Sequence, residues 1–386
     1  MQFLGMSLTG AKNLNVVLKI IIGLIGLSFL IFFHETGHFL FARLLGIKVE
    51  AFSIGMGPVL LHKNIKGTDY RLSLIPVGGY CSMKGSEDFQ EALENGYREI
   101  KGDKDSFYGA APFKRLIVAF AGPFFNLIFT FMAMYIIACV GYTYFAAGRQ
   151  VKMADEVLEG SKSSAHDAGM QSGDIILKIN NKEMNDFYDI ASYISIRGKE
   201  TLLITVSRNN EILEIPVTVD LDKESGSGRI GIYSDPQSVI EREYPSHNFF
   251  TAWGEAFKQS ADMINTTVKS FSLIFKGIDL TSAFSGPAGI SSMIGETTIE
   301  SFKGGFRTGL VTVLNLLAFI SISLFFTNLL PLPLLDGGTI LFALIEMLSR
   351  RKMPPKVLRN IQYAGIAVIA LLFVLAIAGD IQYFIK

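Results

Sequence analysis

The sequence predicts a polytopic α-helical membrane protein, because its charged residues leave long apolar stretches uninterrupted. The chain has 386 residues, of which 49% are hydrophobic, and 35 basic side chains balance 35 acidic ones. Residues 116–148, 308–335 and 361–379 contain no Asp, Glu, Lys, Arg or His, and the apolar run 16–33 contains only Lys19. A run of about 18 or more apolar residues can cross a bilayer as a helix. We therefore expect four transmembrane helices, with Lys19 reaching toward a lipid headgroup.

The distribution of basic residues predicts the orientation of these spans. Four spans place both termini on the same side of the membrane. The short link after the third span is rich in basic residues, which marks it as cytoplasmic: Arg350, Arg351, Lys352, Lys356 and Arg359. Both termini and the segment between spans two and three are then extracytoplasmic, and residues 34–115 are cytoplasmic. The first span lacks a small-residue cleavage site, so we expect it to be retained rather than removed as a signal peptide.

Residues 49–83 predict a β-hairpin between the first two spans. Apolar residues alternate with small or polar ones on both sides of the turn-rich "NIKGTD", and such period-two alternation is typical of paired strands. This segment is too apolar for an ordinary solvated loop. Residues 86–106, by contrast, are charged and polar, and we expect them to form a mobile surface excursion.

The remaining chain divides by composition into an inserted domain and its connections. Residues 149–235 contain strand-like runs and turn signals around a more helical section at 187–196, and their length suits a small β-rich domain. Residues 236–307 predict a helix and a loop on the same extracytoplasmic side. The membrane part then comprises residues 1–148, with the first two spans and the hairpin, and residues 308–386, with the last two.

Two histidines and a glutamate interrupt the first apolar run in "FFHETGHFLF". On a helix, His34 and His38 share a face with about 5–6 Å between their Cβ atoms, so both imidazoles can reach one zinc ion. Glu35 has the position of a general base that takes a proton from a zinc-bound water. Ionisable groups at membrane depth are costly and rarely persist without a function. The motif therefore predicts a catalytic zinc site.

The third zinc ligand must come from elsewhere, and the residues alone leave it open. Asp336, in "NLLPLPLLDGG", is the acidic residue nearest the cytoplasmic end of the third span. An aspartate before a helix can instead be an N-cap. His62, at the end of a hairpin strand, is a further candidate, whereas His166 and His247 fall in the segment across the membrane.

Several motifs, in the same order, resemble the site-two protease family of intramembrane zinc metalloproteases, in its bacterial RseP/RasP type with a single PDZ domain. The sequence "HETGH" is similar to the H-E-x-G-H motif of that family. "FSIGMGP" and "IPVGGYCSMKG" resemble its membrane-reentrant β-hairpin, "AGPFFN" its G-P-x-x-N, and "NLLPLPLLDGG" its N-x-x-P-x-P-x-x-D-G. The stretch "AGMQSGDIILKIN" looks like part of a PDZ domain.

This resemblance implies a role for each residue that matches a motif. It assigns His34, His38 and Asp336 to Zn²⁺ and Glu35 to catalysis. It places Asn328, Gly55 and Gly57 at positions that bind substrate, and Asn126 at a position that is structural or faces substrate.

The resemblance also implies a function and a location. Hydrolysis of a peptide bond within or near the transmembrane segment of single-span proteins is implied, with an anti-sigma factor or a signal-peptide remnant as example substrates. The implied location is the bacterial inner membrane, with the active site toward the cytoplasm and the PDZ-like domain outside.

Two other classes of protein are compatible with parts of the sequence. A membrane-anchored PDZ scaffold accounts for the inserted domain but leaves the intramembrane histidines without a purpose. A metal transporter predicts polar residues spread along several spans, whereas here they cluster at one depth. Zero net charge and the absence of a long basic run argue against a nucleic-acid partner. The two cysteines, Cys81 and Cys139, are expected to be free thiols.

Overall fold

The fold is described here from a computed structural model, which covers residues 2–158, 160–222, 226–274 and 286–385. The chain forms two compact units. The first contains Met1–Ile137, Phe250–Ser260 and Ser285–Lys386, and the second contains Ala138–Phe249 and Ala261–Phe284.

The described helices are α1 Gln2–Leu44, α2 Ser86–Glu94, α3 Pro112–Val140, α4 Ala154–Val157, α5 Ser164–Asp167, α6 Phe187–Ser195, α7 Thr251–Ile274, α8 Pro287–Lys303, α9 Phe306–Asn328, α10 Asp336–Ser349 and α11 Pro355–Ile385. The described strands are β1 Val49–Ile65, β2 Thr68–Met83, β3 Tyr142–Ala147, β4 Val151–Met153, β5 Ile175–Ile179, β6 Lys182–Glu183, β7 Thr201–Arg208, β8 Glu211–Thr218, β9 Asp220–Leu221, β10 Gly228–Arg229, β11 Ile232–Ser234 and β12 Val239–Tyr244.

Three helices of the described chain are long and apolar enough to cross a membrane: Val16–Leu44 within α1, α3 and α9. They coincide with the first three predicted spans, and the predicted class of polytopic α-helical membrane protein is confirmed. The uncharged run 361–379 lies within α11, but some side chains of that helix are outside the described residues. A fourth span therefore stays a prediction.

The predicted hairpin is present as an antiparallel pair of β1 and β2. Its register shifts repeatedly between Val49 and Leu61, so β1 is bent and bulged rather than a regular strand. An aromatic cluster attaches the hairpin to α1. The ring centroid of Phe52 lies 5.0 Å from that of Phe39 and 5.8 Å from that of Phe32. The ring centroids of Tyr70 and Phe39 are 5.8 Å apart.

Residues 86–106 are more ordered than their charge suggests, and the predicted surface excursion is wrong in part. Helix α2 covers nine of these residues. Its buried Ala92 packs with Ile100 and with Leu358 of α11, and Phe89 packs against the same cluster. The hydrophobic positions of α2 are spaced on one helix face, so a short amphipathic pattern was hidden among the charges.

Helix α8 packs along the predicted first span through small residues. A side chain at Gly23 would collide with the main chain of Ser291, and one at Gly295 with that of Lys19. Such close backbone approach is typical of helices that associate in membranes. The first turn of α8 is held by the buried Asp380 of α11, whose carboxylate accepts three main-chain hydrogen bonds of 2.8 to 3.2 Å, from Gly286, Ala288 and Gly289.

The second unit is rich in β-structure, as the sequence predicts for residues 149–235. Its largest sheet has four antiparallel strands in the order β6–β5–β7–β8. A core of buried aliphatic side chains lies beneath this sheet and includes Ile176, Ile190, Leu202 and Ile204. The predicted helical section is confirmed as α6, and the pair β3–β12 lies outside the predicted boundaries.

Two of the ion pairs in the second unit differ in their burial. The carboxylate of Asp174, fully buried, accepts two hydrogen bonds of 2.7 and 2.8 Å from Arg208. The exposed pair joins Nδ1 of His166 to the carboxylate of Asp155 at 2.6 Å. The hydrogen bond in this second pair raises the pKa of His166 and lowers the pKa of Asp155.

Candidate metal centre and active site

Three side chains converge near the C-terminal end of α1. Nε2 of His34 lies 3.2 Å from the carboxylate of Asp336, and Nε2 of His38 lies 3.3 Å from its other oxygen. The two Nε2 atoms are 3.2 Å apart. Both histidines are buried. Among the described residues, these three form the group of His, Cys, Asp or Glu side chains that could hold a metal ion.

The spacing of these atoms fits a zinc ion. Zinc binds imidazole nitrogens and carboxylate oxygens at about 2.0–2.2 Å, and tetrahedral angles then put neighbouring ligand atoms roughly 3.3–3.5 Å apart. The observed separations of 3.2 to 3.3 Å are close to that value. Three protein ligands leave one position for water or substrate, as in catalytic zinc sites.

A tight loop between α9 and α10 presents Asp336. Leu334 has a φ of 78°, a left-handed conformation that is uncommon for such a bulky residue and often marks functional sites. Gly337 and Gly338 follow, and side chains there would collide with main-chain atoms of Leu330 and Leu332 respectively. The glycines therefore let the start of α10 lie against the loop that precedes it.

The alternative role of Asp336 as a helix cap is wrong. The N-cap position of α10 belongs to Leu335, and no side chain caps this helix. Asp336 is the first helical residue, and its carboxylate faces the two histidines.

One face of α3 supports both histidines from behind. Val118, Gly122 and Asn126 are spaced four residues apart and therefore lie in one row along the helix. The main-chain carbonyl of Val118 lies 2.8 Å from Nδ1 of His38, and the carboxamide of Asn126 lies 3.1 Å from Nδ1 of His34.

Gly122 lies between these two contacts. A Cβ atom there would be 2.5 Å from Cε1 of His38 and 2.8 Å from Cε1 of His34. Gly122 is the glycine of the quoted "AGPFFN". The family motif therefore contains it, although no role was predicted for it from the sequence.

Glu35 lies beside the cluster without belonging to it. Its carboxylate accepts a hydrogen bond from the main-chain N–H of Cys81 in β2, and it interacts with the charges of both histidines and of Asp336. Gly79 also lies close to Glu35, and it lets the two strands of the hairpin approach each other here, since a Cβ on it would be 2.6 Å from the main-chain oxygen of Ser53. The arrangement leaves Glu35 available to exchange protons with a reacting group next to the ligands.

The other predicted residues do not join the cluster. Asn328 is the last residue of α9. Gly55 and Gly57 lie in the bulged part of β1 with φ values of 82° and 83°, which favour glycine. His62 is mostly exposed, and its Nδ1 lies 3.1 Å from the carboxylate of Asp69 in the hairpin. The structure therefore gives no support to His62 as the third ligand.

A membrane protein with two histidines and an aspartate around one point, and a glutamate beside them, belongs by fold and site to the membrane-embedded metallopeptidases. The sequence model of peptidase family M50 matches residues 22–372. The chain belongs to this family, and the predicted resemblance is confirmed.

Curated relatives agree with this assignment. A protein of Treponema pallidum is 30% identical over 447 aligned residues, which cover 95% of this chain and 99% of the relative. A protein of Campylobacter jejuni is 36% identical, with 92% and 91% covered. One from Helicobacter pylori is 31% identical, with 94% and 98% covered. The name of each marks it as a candidate zinc metalloprotease.

Family and relatives together identify the activity. The protein is a zinc metalloprotease, and zinc is its cofactor. The scaffold and the transporter considered above are thereby set aside.

Proposed function

We propose that this protein hydrolyses a peptide bond within or near the transmembrane segment of single-span membrane proteins. In this proposal His34, His38 and Asp336 bind the zinc ion, and Glu35 is the general base. The observation that carries it is that the three ligand atoms lie 3.2 to 3.3 Å from one another. Two of them belong to α1, which is long and apolar enough to cross a membrane. Substrates of the anti-sigma factor or signal-peptide remnant type fit this proposal.

The reaction divides between the cofactor and the chain. Zinc at this site would supply a water of lowered pKa and would polarise the scissile carbonyl. Glu35 takes the proton of the attacking water and then delivers it to the nitrogen of the leaving amine. The hydrogen bond from the main-chain N–H of Cys81 holds the Glu35 carboxylate at the side of the ligands.

The hairpin has features suited to binding an unwound substrate. A transmembrane helix has its amides paired, so the scissile bond must become extended before it is attacked. Met56, Val59 and Leu60 of β1 are exposed, and the register of β1 is irregular here. An extended segment could therefore add to this strand by β-augmentation. We assign Gly55 and Gly57 to substrate binding on this basis, and we assign Asn328, at the end of α9, to substrate binding from the family resemblance.

We further propose that the second unit contains a PDZ-like domain that selects or excludes substrates. A cavity of about 830 Å³ lies in this unit between α6 and the segment of β9 to β11. Its lining includes Phe187, Ile190 and Ile194 of the helix, an apolar wall suited to a peptide side chain.

The remaining topology belongs to the same proposal. It has four spans in the bacterial inner membrane, with the active site toward the cytoplasm. Both termini and the PDZ-like domain are then extracytoplasmic. The basic cluster at 350–359 supports this orientation.

The experiment that tests the residue roles compares two near-isosteric substitutions. Glu35→Gln should lower cleavage of a single-span reporter by roughly 10²–10⁴-fold while zinc content stays at one per chain. Asp336→Asn should lose both cleavage and zinc, because a neutral amide is a poorer ligand. Full zinc and cleavage in Asp336→Asn would contradict its role as a ligand. Cleavage at the wild-type rate in Glu35→Gln would contradict the general base.

A further inference from the structure

Asn126 is completely buried in α3, and its carboxamide has a specific neighbour. The side-chain nitrogen lies 3.1 Å from Nδ1 of His34. The carboxamide oxygen is also buried and has no hydrogen-bond partner among the residues that the structure describes. A buried polar atom without a partner costs about 1–3 kcal/mol, so this side chain needs an explanation beyond filling space.

The chemistry of His34 supplies that explanation. Its Nε2 faces Asp336 and His38 and is the atom that would bind a metal. A neutral imidazole that binds a metal through Nε2 carries its proton on Nδ1. That N–H must donate to an acceptor. A rotation of the Asn126 carboxamide by 180° exchanges its oxygen and nitrogen. The oxygen then lies at Nδ1 as that acceptor, and the amide nitrogen takes the position that the oxygen held before.

The main chain around Asn126 is fixed by the neighbouring helix. The Asn126 carbonyl oxygen accepts hydrogen bonds from Ser321 of α9 at 2.9 Å and from Thr130 at 3.1 Å. Thr130 is also 3.2 Å from the carbonyl oxygen of Ala318. These contacts hold the backbone whatever side chain residue 126 has. The structural and the positioning roles of Asn126 can therefore be separated by substitution.

We propose that Asn126 is a positioning residue that sets the tautomer and the ring orientation of His34 for zinc binding. Its carboxamide oxygen accepts the hydrogen bond from Nδ1–H, as the main-chain carbonyl of Val118 does for His38. Partners of this kind on metal-bound histidines typically change metal affinity by 10–100-fold when removed. The inference rests on the proposed function, because it takes His34 as a zinc ligand.

The test measures the zinc dissociation constant of the purified full-length protein by competition with a chelator. Asn126→Leu keeps the approximate size and removes the acceptor, and it should weaken zinc binding by about 10–100-fold. Asn126→Asp keeps an acceptor oxygen and should bind zinc as tightly as the wild type or more so. Ser321→Ala is the matched control: it removes a hydrogen bond to the Asn126 main chain and should leave zinc affinity unchanged.

The outcomes distinguish this inference from the proposal beneath it. Wild-type zinc affinity in Asn126→Leu would overturn the inference. A tenfold loss of zinc affinity in Asn126→Asp would also overturn it. Either variant decides the question if the other does not fold. Loss of zinc in His34→Ala together with unchanged affinity in Asn126→Leu would leave the ligand set standing and remove only Asn126. Full zinc retention in His34→Ala would instead overturn the ligand assignment itself.

Discussion

The substitution Gly122→Ala should damage the metal site without removing any ligand. The added methyl group would lie 2.5 Å from Cε1 of His38 and 2.8 Å from Cε1 of His34. Ordinary contacts begin at 3.4 Å, and the atom nearest to the added methyl group is Nε2 of His38, the proposed zinc ligand, so the His38 ring must move by more than about 0.9 Å. The ring cannot simply swing away, because its Nδ1 is 2.8 Å from the carbonyl oxygen of Val118.

The expected magnitude follows from the cost of overpacking. Extra methyl groups in a well-packed site cost about 1–3 kcal/mol. If that cost falls on the metal-bound geometry, zinc affinity drops by about 5- to 150-fold, since 1.4 kcal/mol corresponds to a factor of ten. A displacement near 1 Å at a catalytic group can also lower turnover by about 10²-fold. Helix α3 itself should tolerate the change, because alanine favours a helix over glycine by about 1 kcal/mol.

The assay is a chelator titration of zinc on Gly122→Ala, followed by cleavage of a single-span reporter. Gly254→Ala is the matched control, since a Cβ on this glycine of helix α7 would have no atom of the described part of the chain within 4 Å. The control should keep wild-type zinc affinity and activity. Unchanged zinc affinity in Gly122→Ala would refute the packing argument for the face of α3 that supports the histidines.

Three further predictions concern the rest of the fold. Arg208→Met removes the cation that pairs with the buried Asp174 carboxylate and leaves it only the hydrogen bond from the main-chain N–H of Gln171 among the contacts described; it should destabilise the second unit by about 3–5 kcal/mol, measured by pulse proteolysis in urea. Asp380→Ala leaves the first turn of α8 without its acceptor and should accelerate amide hydrogen exchange there, with a loss of at least the roughly 0.5–2 kcal/mol of an ordinary cap. The pKa of His166 is raised in the folded state, so its pair with Asp155 should stabilise the fold fully below the unfolded pKa of about 6.5. This stabilisation should be lost as pH rises through the folded pKa. The urea midpoints of wild type and His166→Gln should therefore converge at high pH.

Each of these predictions has a control or a contrary result. Lys178→Met breaks an exposed ion pair with Glu183 and should cost at most about 1 kcal/mol, so an equal loss in Arg208→Met would argue against a special role of burial. Asp380→Asn keeps an acceptor and should exchange more slowly than Asp380→Ala. A stability difference at His166 that persists unchanged to pH 9 would contradict the titration argument, because the folded-state pair must lose its charge as the histidine deprotonates.

The first three apolar runs, the hairpin and the zinc-binding motif could be predicted because their signals are local. An uncharged run of 28 residues or a spacing of four between histidines needs no tertiary information. The meeting of Asp336 with His34 across about 300 positions of chain came from the family resemblance. Local sequence alone left Asp336 undecided between ligand and helix cap.

Other features could not be predicted because they depend on packing between distant segments. Gly122 belongs to the matched "AGPFFN", but only the fold shows that it lies against the histidine rings. The same holds for Asp380, a lone acid near the end of α11 that caps a helix more than 90 positions away. The prediction of a surface excursion for residues 86–106 was wrong in part because a short amphipathic helix lies within this strongly charged stretch.

X-ray absorption spectroscopy of the zinc-loaded protein tests the proposed metal centre most directly. The account predicts two imidazole ligands together with oxygen scatterers, all at about 2.0–2.2 Å. It predicts no sulfur at about 2.3 Å, although Cys81 lies next to Glu35 in the fold. A third imidazole or a thiolate in the zinc shell would contradict the assignment of His34, His38 and Asp336.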